Sequence, residues 1–259
     1  MSILNEIAHA TKVRIEKVKA QVPLEELKSL ALSSPNRPNF TTALQKPGLS
    51  VIAECKKASP SKGLIAPDFP YLAIAKAYEK AGADAVSVLT EPQYFKGCND
   101  YLKEISQAIT IPCLRKDFVV DPYMIYEAKV LGASAVLLIA SLHTPKELED
   151  NLNLCQDLGL SPLVEVHQKE EIAMVNDLNA PIIGINNRNL ANFEVDLETT
   201  KKLRDLLSPN ALFVAESGIH TRMDVLAMEA IGADAILVGE SLMRAKDKTA
   251  QLRALKGLD

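Results

Sequence analysis

The 259-residue sequence lacks several features that would place it in a specialised class of protein. It has no tryptophan, only 5% of its residues are aromatic, and glycine and proline are not elevated. No stretch is low in complexity, so the composition is that of an ordinary globular enzyme and argues against a fibrous or disordered chain. The cysteines form no Cys-x-x-Cys pair, which argues against a zinc or redox motif. Reduced thiols are therefore predicted at Cys55, Cys98, Cys113 and Cys155.

The sequence also lacks an excess of positive charge and a long apolar segment. Its formal net charge is -4, whereas binding to nucleic acid or an anionic membrane requires a basic surface. The first residues, MSILNEIAHATKVRIEKVKAQ, alternate charged and apolar residues at helical spacing and match neither a signal peptide nor a membrane span. We therefore expect a cytoplasmic protein that binds neither nucleic acid nor membranes, and an anionic ligand would need a local positive pocket.

What the sequence does contain is a regular alternation of short apolar segments and amphipathic segments. This rhythm is typical of parallel strands joined by crossover helices. Eight strands are predicted, at residues 51–54, 85–89, 111–115, 135–139, 163–166, 182–185, 212–215 and 235–238. Helices are predicted between and after them, at residues 71–81, 101–108, 123–131, 146–158, 169–178, 197–207, 222–231 and 241–245.

Three near-repeats, AGADAVSVLT, LGASAVLLIA and IGADAILVGE, share one design of helix end, tight turn and strand entry. Gly82, Gly132 and Gly232 occupy the turn, where a left-handed conformation suits glycine. Eight such units favour closure into an α/β fold of the (β/α)₈ (TIM) barrel type. An open doubly wound sheet is the alternative, but no strand is followed by the glycine-rich dinucleotide fingerprint expected there.

The residues before the first strand predict an extension of the barrel. Residues 2–32 have helical periodicity interrupted at Pro23, which predicts two helices that pack on the barrel as a lid or buttress. Residues 33–48 are rich in Pro, Asn and Thr and are interpreted as a connector. We therefore expect one domain over 1–259, with 1–48 as helical extension and connector and 49–259 as the barrel.

Chemistry is expected at the carboxyl ends of the strands, where barrel enzymes place their active sites. Polar and ionisable residues are concentrated there: Glu54 and Lys56; Arg115, Lys116 and Asp117; Glu165 and His167; Asn186, Asn187 and Arg188; Glu216 and Ser217. Any one of them could be an ordinary solvated loop residue. A closed barrel, however, brings all these ends to one face, and buried charges there need each other or a charged ligand as partners.

A phosphate group is the ligand that the last two strands predict. In such barrels phosphate often lies at the loops after strands seven and eight, where the motifs ESGI and VGES place Gly218, Gly239 and Glu240. Glycine lets backbone N–H groups approach an anion. The loop KKASPSKG after the first strand adds Lys56 and Ser59, although each of these features alone could be an ordinary turn or solvated loop.

Acid–base chemistry is predicted without a metal or cofactor, because no metal-ligand spacing and no Walker-type loop occurs. Lys116 is the candidate acid, with a pKa expected to be lowered by surrounding cations, and a partly desolvated Glu165 is the candidate base. His167 is expected to lie in the loop after the fifth strand and is a weaker candidate.

Motifs along nearly the whole chain resemble those of the indole-3-glycerol phosphate synthase family. In family order they are IAECKKASPSKG, SVLTEPQYFKG, PCLRKDFVVDPYMIYEA, AVLLIA, LVEVH, IGINNRNL, VAESGI and VGESLM. The resemblance implies a cofactor-free lyase that closes the pyrrole ring of 1-(2-carboxyphenylamino)-1-deoxyribulose 5-phosphate in tryptophan biosynthesis, with release of carbon dioxide and water. Because decarboxylation follows ring closure, the new ring cation can accept the electrons.

The resemblance also implies residue roles. Lys116 would be the general acid on the ketone, Glu165 would transfer a proton during dehydration, Glu54 would assist, and Lys56 would contact phosphate or donate a proton. Two further groups are implied: Asn186, Arg188, Glu216 and Ser217 would position the sugar and the aromatic ring, and Ser59, Gly218 and Gly239 would hold phosphate. The family often has Arg at Ala66 and Asp-Pro at Pro70-Tyr71, so the loop after the first strand is expected to be held differently.

Two rival functions predict different observations. A phosphoribosylanthranilate isomerase would use a Cys/Asp couple at the ends of strands one and six, where Glu54 and Asn186 stand. A non-catalytic barrel would bind phosphate, or a partner protein, without closing a ring. The expected partner is a small sugar-phosphate substrate, and the sequence leaves the oligomeric state open, with a monomer as one option.

Overall fold

A computed structural model describes residues 2–189 and 193–258 of the chain. Eight parallel strands close into a barrel, each hydrogen-bonded to the strands before and after it. They are β1 (Ser50–Cys55), β2 (Ala85–Leu89), β3 (Cys113–Lys116), β4 (Ala135–Ile139), β5 (Ser161–Val166), β6 (Ile182–Asn186), β7 (Leu212–Glu216) and β8 (Ala235–Val238). The ring is completed where β1 pairs with β8. The predicted barrel and its eight strands are therefore confirmed.

Strand bounds differ from the sequence prediction mainly at β3 and β5. Strand β5 begins at Ser161, two residues before the predicted start, and includes Pro162. Proline has no N–H to give to a ladder, so sequence patterns exclude it from central strands, but it is tolerated near the beginning of one. Strand β3 begins at Cys113 and extends to Lys116, one residue beyond its predicted end.

Side chains on alternate sides of the strands build two cores, because successive strand residues point to opposite faces. The barrel interior is filled by residues such as Ile52, Leu114, Leu163 and Val214. The outward residues, such as Val51, Val88, Val164 and Ile183, pack against the surrounding helices in a second, larger cluster. Both faces of every strand are thus apolar along most of their length, as expected for a parallel sheet covered by helices.

Twelve α-helices are present in the described residues. They are α1 (Ile3–Gln21), α2 (Leu24–Ser33), α3 (Phe40–Leu44), α4 (Tyr71–Lys80), α5 (Asn99–Ala108), α6 (Tyr123–Val130), α7 (Pro145–Asp157), α8 (Lys169–Asp177), α9 (Glu198–Arg204), α10 (Arg222–Ala230), α11 (Glu240–Arg244) and α12 (Lys248–Lys256). Capping boxes at Thr144 and Thr221 begin α7 and α10. All eight predicted helices are found. Helices α3 and α12 are not among those predictions, and α3 is only five residues long.

The two predicted N-terminal helices are α1 and α2, separated at Pro23. Helix α1 buries Ile7, Ala8, Thr11 and Ile15 along one stripe, and Ile7 belongs to the apolar cluster of the barrel interior. Helix α2 packs mainly on α6. Among the helices of the described ranges, none has the length and hydropathy of a membrane span.

Candidate active site

Side chains that point into the barrel change from apolar to polar at the carboxyl ends of the strands. Inward-pointing positions recur every second residue along a strand. At five strand ends the last inward residue is polar: Glu54, Lys116, Glu165, Asn186 and Glu216. The strand registers pair Asn186 with Glu216 and Glu165 with Gly184. All five polar residues line one pocket of about 1080 Å³, a volume that includes the solvent at its mouth. The predicted convergence of Lys116, Glu165 and Glu54 is therefore observed.

Lys116 contacts two carboxylates from the carboxyl ends of β5 and β7. Its Nζ is 3.0 Å from Glu165 Oε2 and 3.4 Å from Glu216 Oε2. The side chain of Lys116 retains 15% exposure, whereas those of both glutamates are only 2% exposed. The ammonium group is therefore the most exposed member of this cluster.

The carboxylates reverse the expected pKa shift of Lys116. Burial lowers the pKa of this amine, but the negative charges of Glu165, Glu216 and Glu54 outweigh burial and raise the pKa well above its usual value. The prediction that neighbouring cations lower the pKa of Lys116 is wrong, because three glutamates rather than cations surround it. Lys116 is consequently held as an ammonium ion throughout the neutral range.

The two glutamates beside Lys116 have opposite pKa shifts. Burial raises the pKa of Glu165, but the contacts with Lys116 and His167 have the larger combined effect. They lower the pKa of Glu165 well below its usual value, so Glu165 is ionised. For Glu216, burial raises the pKa; Lys116 lowers it, and the nearby Glu165 and Glu54 raise it again, to about 8. Like charges in one buried site cannot all ionise together. The cluster of Lys116, Glu165 and Glu216 therefore offers one carboxylate, one carboxylic acid and one ammonium ion near neutral pH.

Glu54 and Lys56 form a second ion pair across the pocket. Lys56 Nζ lies 2.8 Å from Glu54 Oε1, and Ser87 Oγ donates to Glu54 Oε2 at 3.4 Å. A Cβ atom at Gly239 would collide with Glu54 Oε1. Gly239 thus makes room for the Glu54 carboxylate in addition to marking the predicted phosphate loop.

Asn186 and Arg188 shape the pocket mouth after β6. Asn186 Oδ1 accepts a hydrogen bond from the Arg188 backbone N–H at 3.0 Å. The Arg188 guanidinium donates to Ser61 Oγ at 3.4 Å and to the Phe193 carbonyl at 3.2 Å. It therefore joins the loop after β6 to the loop after β1. Leu190, the last residue of the IGINNRNL motif, lies outside the described residues.

The predicted phosphate residues line the same pocket, as does Ser217: they are Lys56, Ser59, Gly218, Gly239 and Glu240. Ser217 and Gly218 both have positive φ, 67° and 82°. This conformation is costly for serine, and such strain is concentrated at functional sites. Glu240 is bound to Arg244 at 3.0 Å, with Lys62 and Arg188 each at 3.9 Å, so its carboxylate is neutralised by cations around the pocket rim.

The loop after β1 forms a short antiparallel hairpin of Ala58–Ser59 and Gly63–Leu64. The backbone N–H groups of Ile65 and Ala66 both donate to the Lys57 carbonyl, and the Ala66 side chain is buried. Pro70 precedes α4 as its cap residue. The loop at the predicted departure from the family pattern is therefore closed by backbone hydrogen bonds.

An apolar wall faces the charged side chains, and the sequence prediction missed it. Its members come from α1, from the loops after β2 and β3, and from β4: Ile3, Leu4, Ile7, Phe95, Phe118 and Leu137. The Phe95 and Phe118 rings are 5.8 Å apart between centroids. The phenylalanine that follows Lys116-Asp117 at a strand end was an available signal, whereas nothing local indicates that α1 reaches the pocket.

A buried charge network holds the end of β3 through Asp117 and Arg115. The sequence prediction missed this network too. Asp117 accepts two hydrogen bonds from Arg14 of α1, at 2.9 and 3.0 Å, and one from Thr90 Oγ1 at 2.7 Å. Arg115, which is 1% exposed, donates to the Met124 carbonyl and pairs with Glu127. These contacts fix the backbone on either side of Lys116.

His167 follows the last residue of β5, as predicted, but it does not simply face solvent. Its Nε2 lies 3.2 Å from Glu165 Oε1. No group of three or more His, Cys, Asp or Glu side chains within 2–189 and 193–258 has an arrangement that could hold a metal ion.

The family model described as "Indole-3-glycerol phosphate synthase" matches residues 4–255 of the chain. An indole-3-glycerol phosphate synthase of Lacticaseibacillus paracasei is 51% identical over 256 residues, with 98% of each chain covered. One of Ruminiclostridium cellulolyticum is 47% identical over 257 residues, covering 98% of this chain and 99% of the relative.

Solved structures with low sequence identity share the fold. A 3-hexulose-6-phosphate synthase of Salmonella typhimurium superposes with a TM-score of 0.67 at 11% identity, covering 81% of this chain and 98% of the other. A chain of a tryptophan synthase complex from Pyrococcus furiosus has a TM-score of 0.59 at 13% identity, covering 80% of this chain and 98% of the other. At such identities the likeness concerns the barrel alone.

Proposed function

The chain belongs to the indole-3-glycerol phosphate synthase family, and from that premise we propose how its residues divide the work of ring closure, decarboxylation and dehydration. The enzyme is a carboxy-lyase of tryptophan biosynthesis that acts on a small phosphorylated substrate. We propose that this substrate is 1-(2-carboxyphenylamino)-1-deoxyribulose 5-phosphate. All the residues proposed below come from one chain, so a monomer would contain a complete site.

In the first step, the aryl carbon attacks the ketone and Lys116 protonates the ketone oxygen. An alkoxide is far more basic than an amine, so an ammonium ion can protonate it even when carboxylates raise the pKa of that ammonium. The loss of carbon dioxide then returns an electron pair to the ring. Proton donation by a positioned general acid such as Lys116 contributes about 10²–10⁴-fold to the rate.

In the dehydration step, the new hydroxyl group leaves as water and the ring loses a proton. We assign proton removal to Glu165, which Lys116 and His167 keep ionised. Lys56 is assigned as a proton donor that also contacts the phosphate, and Glu54, 2.8 Å from Lys56, assists by holding it. Each proton-transfer group then has its partner within hydrogen-bond reach.

The remaining residues are assigned to binding. Asn186, Arg188, Glu216 and Ser217 position the sugar and the ring, and Ser59, Gly218, Gly239 and Glu240 hold the phosphate, the last through its backbone. The apolar wall of Phe95, Phe118 and the α1 side chains suits the aromatic ring. A ligand with one apolar ring and two anionic groups matches a pocket with one apolar wall and three cations.

The observation that carries this proposal is the contact of the reachable Lys116 ammonium with Glu165 at 3.0 Å inside a pocket that has both an apolar wall and a phosphate-type loop. The rival of a non-catalytic phosphate-binding barrel has no need of an ammonium ion buried among three glutamates. It predicts that inorganic phosphate stabilises the protein while no indole product forms.

Turnover without added metal, followed by the fluorescence of the indole product, tests the assignment. Lys116→Met keeps the apolar stem of the side chain and removes the ammonium, and we expect kcat to fall about 10²–10⁴-fold. Lys146→Met is the matched control, because Lys146 is an exposed lysine of α7, and it should leave kcat unchanged. Near-normal turnover by a folded Lys116→Met protein would remove Lys116 from this role.

A further inference from the structure

His167 is a largely buried imidazole that lies outside the pocket lining. Its side chain is 15% exposed, and it is not among the residues that line the pocket. Its Nε2 is buried and makes no well-aligned hydrogen bond within the described part of the chain. The nearest acidic atom is Glu165 Oε1 at 3.2 Å, so the contact between them is mainly electrostatic.

The Glu165 carboxylate is therefore held by cations on both of its oxygens. Oε2 accepts from Lys116 on the pocket side, and Oε1 faces His167 on the other side. Lys116 must change its contacts during the reaction proposed above, because it donates a proton to substrate. His167 does not touch the pocket and can hold Glu165 throughout the cycle.

Glu171 on α8 fixes His167 in turn. Glu171 Oε2 accepts the backbone N–H of His167 at 2.6 Å and lies 3.8 Å from its Nδ1. The chain Glu165–His167–Glu171 thus places one imidazole between two carboxylates, an arrangement that favours the imidazolium form. Burial lowers the pKa of His167, but Glu165 and Glu171 together raise it to about 10.

We propose that His167 is a positioning residue of the reaction, which orients the Glu165 carboxylate from behind the pocket and keeps it ionised while Lys116 works on the substrate. This inference rests on the role proposed for Glu165. The charged groups that face His167 are Glu165 of β5 and Glu171 of α8. The short 3₁₀ helix packed against β5, Ala140–Leu142, contributes no charged side chain.

The test compares the pH dependence of kcat in three proteins. His167→Gln keeps an N–H donor of similar reach without the charge, and His167→Leu removes both. Because an imidazolium within about 4 Å favours the ionised carboxylate, we expect the acidic limb of the profile to move to higher pH by about one pH unit or more in both variants. At the acidic end kcat should fall about tenfold, with less loss in His167→Gln than in His167→Leu, and KM should stay within about twofold of the original.

His143→Gln is the matched control, since His143 lies in the loop after β4 near Glu147 and Lys12. It should leave the profile unchanged. Histidine NMR provides a readout independent of turnover, and the chain has four histidines, so the signal missing in His167→Gln identifies His167. We expect this ring to stay protonated to higher pH in the original protein than in Glu165→Gln.

The outcomes separate this inference from the proposed function. A folded His167→Leu protein whose kcat profile matches the original overturns the positioning role, and so does an NMR titration of His167 that ignores Glu165→Gln. Full activity in Glu165→Gln would instead overturn the role of Glu165. A shift of the acidic limb in both His167 variants, with KM retained, supports the inference.

Discussion

Gly184 is a strand residue whose missing side chain leaves room for a carboxylate of the candidate active site. It lies in β6, beside Glu165 in the strand register, and a Cβ atom built on it would collide with Glu216 Oε1. That oxygen is buried and has no hydrogen-bond partner among the described side chains. The position of Glu216 beside Lys116 therefore depends on a glycine in the neighbouring strand.

Gly184→Ala should displace the Glu216 carboxylate and lower kcat by about tenfold or more, since small misplacements in active sites have effects of this size. The φ angle of Gly184 is not positive, so alanine itself adds no backbone strain. Steady-state kinetics, with circular dichroism as a check of folding, measures this effect.

A double-mutant cycle with Glu216→Asp shows whether the collision is the cause. The shorter acid leaves space for the added methyl group, so Gly184→Ala should cost much less in the Glu216→Asp background than in the original protein. Additive effects on log kcat would contradict this account.

Helix α1 contributes to the pocket through its docking on the barrel. Its residues Ile3, Leu4 and Ile7 line the pocket, and the pair of Arg14 with the buried Asp117 ties it to the strand end that carries Lys116. The two partners are 103 residues apart in sequence. One ion pair therefore links the position of the apolar wall to that of the ammonium group.

Arg14→Ala should loosen α1 and weaken substrate binding. Loss of the guanidinium leaves the buried Asp117 carboxylate with fewer partners, which destabilises the folded protein by about 1–3 kcal/mol. The loss is limited to this range because Thr90 and the Phe118 N–H still donate to Asp117. We expect KM to rise more than kcat falls, the melting temperature to drop, and proteolysis to cleave the first helix sooner.

Lys17→Ala, on the exposed side of the same helix, is the control and should behave like the original protein. If Arg14→Ala kept the original KM and protease resistance, the ion pair would not be what docks α1.

The clustered glutamates make the free energy of unfolding of the whole molecule depend on pH. Burial and the neighbouring carboxylates raise the pKa of Glu216 to about 8. Between the unfolded value near 4.5 and about 8, the unfolded chain releases this proton while the folded protein retains it. The contribution of Glu216 to stability is thus fully present below about pH 4.5 and is lost as the pH rises to about 8.

Glu216→Gln replaces the acid by an uncharged side chain of the same shape and should remove this pH dependence. Relative to the original protein, its melting temperature should be higher at pH 9 and nearly equal at pH 4. Each kcal/mol corresponds to about 2–4 °C for a chain of this size. Calorimetry at the two pH values measures the difference. An equal difference at both would contradict a raised pKa of Glu216.

Glu198→Gln, at an exposed ion pair on α9, is the control and should show little difference at either pH. Turnover of Glu216→Gln should nevertheless fall, because the substitution removes an acid assigned to substrate positioning. Active-site groups of this kind often lower stability while they serve the reaction.

Much of the architecture was predictable because its information is local. Alternation within strands and helical periodicity between them recur eight times, and the ends of those strands carry Glu54, Lys116, Glu165, Asn186 and Glu216. A closed parallel barrel must bring such ends to one face, so the shared pocket of these residues followed from the pattern. The bounds of β5 did not, because proline at position 162 contradicts strand propensity while tertiary pairing overrides it.

By itself, then, the sequence determined the barrel, the family and the set of polar residues at the carboxyl ends of the strands. Periodicity and motif order are properties of the chain alone. Only the tertiary structure decided what those residues do to one another. Distances across a barrel join positions far apart in sequence, and they place three carboxylates, not cations, around Lys116. The same distances set His167 behind Glu165 and α1 against the pocket.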